Sequence, residues 1–522
     1  MTDDDERADR RARPSPERAF RANVELGFGI ALFVVALVLR LVVARALSGE
    51  PVWDGHYYDF GARHIASGFG YADEVMRDGV PVWHPWCHYP VGYSAFLAAF
   101  YMVFGATHAV ASFANALVGA LLAVVTYLLA REALSPRRAM VAGALVAFHP
   151  GLVLYGALLM SEPLAALLVL LGFYLALRVA RTGGPRTVKR EMIGIAAGAF
   201  VLGIGALVRP QGLLCVPFLV LVIRASAAES SEPTLSMRAL WQARGRALVL
   251  ACAVALVPVL PWTARNCRVM DGCALVSTNA GWNLAIGSFP RATGRFETLR
   301  SDDGCREVTG QVQQDRCWLH YGIANIEATP GRWLSLIPVK LAFTFDHESF
   351  AVEYLHEARP AAWPDDRRAL VRGALTSVHR ILVAASVLAF LALALPLPLT
   401  LRGDARDRSA RVVQTALLAA VALASYAAFA AGTPTFWPIV LVTCVLPWLP
   451  LPGRPPSHPA LLMAISLIAT TVVTHAVFFG EDRYHVVATP VLCLLVAAAL
   501  RAPARARASR TTRTAKLSAR PE

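Results

Sequence analysis

Long apolar runs separated by short polar loops recur along the whole chain. Runs near 20 residues are each long enough to cross a hydrocarbon core of roughly 30 Å. About twelve spans are predicted, near 25–47, 108–130, 139–156, 163–180, 192–208, 212–224, 247–264, 376–400, 411–431, 435–451, 459–479 and 486–500. A β-barrel would instead show alternating segments of roughly 10 residues. The expected fold class is an all-α polytopic membrane protein.

The loops carry the orientation. "REALSPRR", "RVARTGGPRTVKR", "RALWQARGR", "LRGDARDRSAR" and the tail "RAPARARASRTTRTAKLSAR" are basic, "RPPSH" carries one arginine, and the intervening short loops have almost none. The excess of Lys and Arg marks the cytoplasmic side, so both termini are expected there. The polar start "MTDDDERADRRARPSPERAF" precedes an apolar run of more than 20 residues with no small-residue cleavage site in view, so 25–47 is expected to be a retained first span. The expected organisation is a cytoplasmic tail at 1–24, a membrane core at 25–264 with an outer loop at 48–107, a large outer loop at 265–375, further spans at 376–500, and a basic cytoplasmic tail at 501–522.

In the first outer loop, "YPVGYSAFLAAFYMVFG" is apolar, but the charge alternation does not accept it as a crossing. It reads as a helix lying at the interface. The large loop holds Cys267, Cys273, Cys305 and Cys317. An outer compartment permits disulfides; Cys267–Cys273 with Cys305–Cys317 is one of three pairings, and four free thiols is the alternative.

Composition agrees: 56% of the 522 residues are hydrophobic and 16% charged, against about a quarter charged in soluble proteins. The formal net charge of +14 would suit nucleic acid, but much of it sits in short loops and the tail, where orientation accounts for it. No nucleic-acid partner is expected.

Charges at the outer ends of spans need another reason, since a charge costs roughly 2.5–3.5 kcal/mol at a helix centre. The acids are Asp54, Asp59 and Glu162; the bases are Arg209, Arg265, Lys340 and Arg483, with Arg40 deeper in the first span. Glu162 precedes Pro163, so it reads either as a first-turn acid after a Ser161 cap or as a carboxylate facing the same cavity as Asp54. Each base alone could snorkel. Several at one leaflet suit a phosphate, and hence a lipid-phosphate ligand. "VWHPWCHYP" gathers His84, Cys87 and His88, with His56 and His64 nearby. These are zinc-ligand types, but no complete ligand set is spaced out. No cofactor is expected, a divalent metal staying open.

The order "DGHYYDFGARHIASGFGY", "YPVGYSAFLAAFYMVFG", "LLMSEPLAALLVLLGFYLAL", "GALVRPQGLL", "PWTARN", "STNAGWNLAIGSFPRATGRF", "EDRYHVVATPVL" resembles the GT-C glycosyltransferases of the protein O-mannosyltransferase and lipid A aminoarabinose transferase type. The resemblance extends over roughly 25–500. It implies a polyprenyl-phosphate-linked monosaccharide as donor, bound from the outer side. It implies inverting transfer, with an acid of the first outer loop as base. Asp54 matches that acid and Glu162 the second outer acid. Arg483-Tyr484 matches a late Arg-Tyr pair near the lipid phosphate, and Arg265-Asn266 an "RN" at the mouth of the large loop. Arg209, Lys340 and Arg40 are the other expected lipid-phosphate contacts. Tyr57, Tyr58, His88, Tyr93 and Asn283 are expected to contact substrate. Many relatives have an Asp-Glu pair where this chain has Asp54-Gly55, and a double proline where it has "HYPVGY".

The expected activity is transfer to a glycan, lipid or protein acceptor at the outer face of a bacterial inner membrane. A secondary transporter would also fit twelve spans, but such folds show repeated halves and midplane charges, and neither is evident. A flippase using the same lipid-phosphate site without turnover is the other alternative.

Overall fold

The computed structural model describes residues 16–181, 187–223, 236–394, 405–430, 432–448 and 457–500. Several basic stretches that carry the orientation, at 182–186, 401–404, 454–456 and 501–522, lie outside these, as do the terminal residues 1–15.

The chain is a multi-pass helical membrane protein. Seven helices among the described residues are long and apolar enough to cross a membrane: Asn23–Leu47, His108–Ala133, Glu162–Arg181, Val188–Val208, Met237–Leu256, Asp365–Val387 and Pro459–Val477. An eighth arises if Pro136–Phe148 and Pro150–Ala157, bent by 54°, act as one broken span. The break falls at His149-Pro150, where proline removes a helix N–H and disfavours helical geometry in the residue before it. Four of the twelve expected spans appear as shorter apolar helices, Pro210–Val222, Ala419–Phe429, Trp437–Trp448 and Thr489–Ala499. The span expected at 247–264 begins earlier, at Met237, and its run is interrupted where Pro258 and Pro261 separate it from helix Leu260–Val269.

Small residues let neighbouring helices close together. A Cβ at Gly194 would meet the Ala176 carbonyl oxygen at 2.3 Å, and one at Gly198 the Gly172 carbonyl oxygen at 2.6 Å. These contacts hold helix Glu162–Arg181 against Val188–Val208, so Glu162 and Arg209 come to lie at one end of a tight pair.

The segments between the spans supply most of the remaining structure. Helix Asp54–Ala66 leads to an antiparallel hairpin, Ala72–Arg77 with Val80–Pro85. Its turn, Asp78-Gly79, has positive φ at both residues (53° and 79°), as a two-residue hairpin loop requires. Helix Val91–Phe104 has 14 residues, about 21 Å at 1.5 Å per residue, too short to cross, and its Met102, Val103 and Phe104 are exposed. Of the three possible pairings, Cys267–Cys273 with Cys305–Cys317 is the one present. They tie two turns of the segment 265–375, where Trp318, Phe289 and Ile286 form a separate apolar cluster.

Candidate active site

Asp54 opens helix Asp54–Ala66, where the unpaired backbone N–H groups of the first turn favour a negative charge. The preceding Trp53 has φ 50°, a strained value for a residue with a Cβ. Its ring packs on Phe350 and Tyr354, which helps hold that conformation. Gly55 follows because nothing larger fits: a Cβ there would meet the Tyr354 hydroxyl at 2.2 Å and the Leu159 carbonyl oxygen at 3.0 Å. The position has no room for a second acid beside Asp54, so a metal bridging two adjacent acids has no ligand pair here.

The Asp54 carboxylate accepts a hydrogen bond from the Tyr89 hydroxyl at 2.8 Å and pairs with Arg483 at 2.5 Å. Arg483 also pairs with Glu481 at 2.6 Å and donates to the Tyr484 hydroxyl at 3.2 Å. It lies on the short helix Asp482–Val487. That helix is anchored by Asp482, which accepts from the backbone N–H groups of Ser349 and Phe350. A second pair sits deeper. Glu162, fully buried at the start of its helix, meets Arg209 at 2.5 Å. The Ser161 hydroxyl joins the two halves, receiving Arg209 at 3.4 Å and lying 3.3 Å from the Tyr58 hydroxyl. Arg209 and Arg483 both face the Tyr484 ring, 5.4 and 5.0 Å from its centroid. His475 stacks on that ring at 4.0 Å.

These groups border one cavity of about 1190 Å³, which Asp54, Tyr57, Tyr58, His88, Arg209, Asn283, Arg483 and Tyr484 all line. The remaining expected residues lie elsewhere. Glu162 stands behind Arg209 and does not line the cavity. Arg265 is spent on structure: it donates to the carbonyls of Trp86 and Tyr71 at 3.0 and 2.6 Å, fastening the segment 48–107 to helix Leu260–Val269. Tyr93 is buried and donates to Asn115 at 2.7 Å. Lys340 is buried, donates to the Val477 carbonyl at 3.1 Å and lies over the Trp333 ring. Arg40 is fully buried and donates to the carbonyls of Ala147 and Val146 at 3.0 and 3.1 Å. Those carbonyls are left free where helix Pro136–Phe148 breaks, and in an apolar surrounding each needs a donor. Gly119 makes the space, since a Cβ there would meet Arg40 Nε at 2.3 Å.

Tyr89, Arg295 and His347 line the cavity without having been singled out. Tyr89 stood beside the quoted histidines, and Arg295 within "NAGWNLAIGSFPRATGRF". Arg295 is brought in by a backbone bridge to Gly480 and lies over the Phe343 ring at 5.8 Å; among the described residues it pairs with no carboxylate. Among the described residues, the histidines of the segment 48–107 do not assemble into a ligand group. His64 contacts the Ala72 carbonyl, and Cys87 is buried against Thr278.

Burial alone would raise the Asp54 carboxyl, but Arg483, the Tyr89 and Arg483 hydrogen bonds and the Arg209 charge together hold it below the usual carboxylate range. Burial works against the Arg483 charge too, yet Asp54 and Glu481 outweigh it and hold the guanidinium charged. Burial, then the Asp54 charge, pushes the Tyr89 hydroxyl up, so it stays a donor. Burial lowers His88, which keeps its imidazole neutral. The cavity thus holds fixed cations, a carboxylate and aromatic faces within reach of one another. This set can bind a phosphate and accept a proton from a hydroxyl.

Residues 88–262 match the family model for dolichyl-phosphate-mannose-protein mannosyltransferase. The match takes in Glu162 and Arg209. No curated protein matches the chain. Among solved structures, the Archaeoglobus fulgidus oligosaccharyltransferase tethered to an acceptor peptide is 14% identical, with a TM-score of 0.41, covering 90% of this chain and 49% of its own. ArnT from Cupriavidus metallidurans bound to undecaprenyl phosphate is 17% identical, with a TM-score of 0.35, covering 91% and 77%. The chain spans about half the length of the archaeal enzyme.

Proposed function

We propose that the protein is a membrane glycosyltransferase that moves one monosaccharide from a polyprenyl-phosphate donor to a hydroxyl of a glycan, lipid or protein acceptor. The observation that carries this reading is the Asp54 carboxylate held between Arg483 and Tyr89 in a cavity that Arg209 also lines. In the inverting displacement, the acceptor oxygen bonds to the anomeric carbon and its proton passes to Asp54. The bond from that carbon to the phosphate oxygen breaks, and its electron pair leaves with the polyprenyl phosphate.

The donor phosphate carries one negative charge and gains a second as it leaves. Arg483, Arg209 and Arg295 meet that growing charge. Arg483 has two tasks in sequence. Paired with Asp54 it makes the carboxylate a weak base; drawn to an entering phosphate, it releases Asp54 to accept a proton. A positioned base of this kind contributes roughly 10²–10⁴-fold. The aromatic faces of Tyr57, Trp53 and Trp282 suit a sugar ring, and all three line the cavity.

The basic short loops favour cytoplasmic termini and an outward cavity in a bacterial inner membrane. Purified protein in nanodiscs is tested with a panel of radiolabelled polyprenyl-phosphate sugars and a membrane extract as acceptor. Consumption of one donor supports the reading and names the sugar. If no donor is consumed while labelled lipid or a soluble solute crosses liposomes, the protein is a flippase or a transporter.

A further inference from the structure

We propose that Glu348, His379 and His485 form a site for one buried divalent cation of the zinc class, separate from the cavity and fixing the segment that carries Arg483. All three are buried, at 3%, 0% and 0% exposure, and their ligand-type atoms lie within 4.8 Å of one another. They come from three elements: the turn before helix Phe350–Ala358, helix Asp365–Ala394 and the short helix Asp482–Val487.

The hydrogen bonds determine which atom each imidazole turns inward. His379 Nε2 lies 2.8 Å from the Phe345 carbonyl oxygen, and His485 Nδ1 lies 2.8 Å from the Thr344 carbonyl oxygen. A carbonyl only accepts, so each of these nitrogens carries the hydrogen. The other nitrogen, His379 Nδ1 and His485 Nε2, is left with a lone pair. Both are buried without a hydrogen-bond partner, as is Glu348 Oε2. His485 Nε2 and Glu348 Oε2 stand 3.8 Å apart.

Three lone-pair atoms therefore converge in an apolar surrounding, where an unpaired polar group is costly. A cation among them removes the penalty. A donor set of two imidazoles and one carboxylate, each imidazole fastened to a carbonyl through its other nitrogen, is the chemistry that zinc takes. Ligand atoms on a tetrahedral zinc stand roughly 3.3–3.5 Å apart, so the group would close by at most about 1.5 Å from its 4.8 Å span. His149, nearby, accepts the Leu152 N–H at Nδ1, so its Nε2 carries a hydrogen and is no ligand, and that N–H is itself buried without a partner. Asp482 is taken by the Ser349 and Phe350 N–H groups. Gly151 leaves Glu348 its space, since a Cβ there would lie 1.6 Å from Oε1.

His485 directly follows Arg483 and Tyr484, so an ion here would pin the helix that presents both to the cavity. The residues act on that helix by position and do not touch a substrate.

The test uses the full chain, purified with a tag free of histidine. Metal content is read by mass spectrometry after equilibrium dialysis against zinc, and cobalt uptake by visible absorption. Wild type and Asp54→Asn are expected to hold about one zinc per chain and to show cobalt bands of a tetrahedral site. Glu348→Gln and His379→Ala are expected to bind at least tenfold more weakly. A wild type that remains substoichiometric after dialysis and shows no cobalt bands overturns the proposal, as the group then shares a proton. Full zinc in both variants overturns it too. None of these readouts depends on sugar transfer.

Discussion

Replacing Arg483 by glutamine should move the Asp54 titration upward. In the native site the two side chains are 11% and 20% exposed and 2.5 Å apart, so solvent screens the pair only weakly. Unit charges about 4 Å apart interact by about 4 kcal/mol at an effective dielectric near 20, equal to about 3 pKa units at 1.36 kcal/mol each. Tyr89 still donates to Asp54, and the Arg209 charge still lowers its carboxyl, so part of the stabilisation survives. A rise of roughly 1–3 units is expected. With the guanidinium gone, burial dominates, the neutral carboxyl is favoured, and protonation persists to higher pH. Infrared difference spectroscopy reads this without turnover: the protonated carboxyl band is titrated in wild type and Arg483→Gln, each against the same protein carrying Asp54→Asn. A midpoint that shifts by less than about half a unit would refute the claim that Arg483 sets the charge of Asp54.

Further outcomes follow from individual contacts. Maleimide mass-tagging of the denatured chain should modify five cysteines before reduction and nine after it, since Cys87, Cys215, Cys252, Cys444 and Cys493 are free; nine before reduction would remove both disulfides from the account. Arg40→Met leaves the broken-helix carbonyls without donors, at a cost of roughly 1–3 kcal/mol per buried group. It should lower the yield and unfolding temperature while leaving the donor KM of the folded fraction unchanged. Burial, with a smaller contribution from Arg332, lowers Lys340 to about 7. The unfolded chain therefore binds more protons between that value and the ordinary lysine range near 10.4. Stability should rise with pH across this window, and Lys340→Met should flatten the rise in a pH series of melting curves.

Charged residues were the most legible part of the site, because in so apolar a chain each demands a reason. Asp54, Arg209 and Arg483 could be found that way, Tyr484 only through the resemblance, and the structure gathers all four around one cavity. The Glu162–Arg209 pair was not legible as a pair: its 2.5 Å contact depends on two helices closing over glycines, and such packing leaves no spacing signal. Arg40 was misjudged for a related reason. Its partners are carbonyls exposed by a helix break, and a sequence does not show which arginine fills such a break. Arg265 and Tyr93 likewise turn to partners far along the chain. The hairpin at 72–85 was not anticipated: only its second strand drew comment, for the zinc-ligand types in "VWHPWCHYP", although Asp78-Gly79 was its local signal. Glu348, His379 and His485 escaped attention because they come together only in the fold.

The most direct test of the central claim compares donor binding with donor turnover in wild type and Asp54→Asn, using the polyprenyl-phosphate sugar that the panel selects. If Asp54 is the base, the variant binds that donor with similar affinity while transfer falls by about 10²–10⁴-fold. Transfer at the wild-type rate by a folded Asp54→Asn protein would contradict the account, because no proton would then pass to this carboxylate.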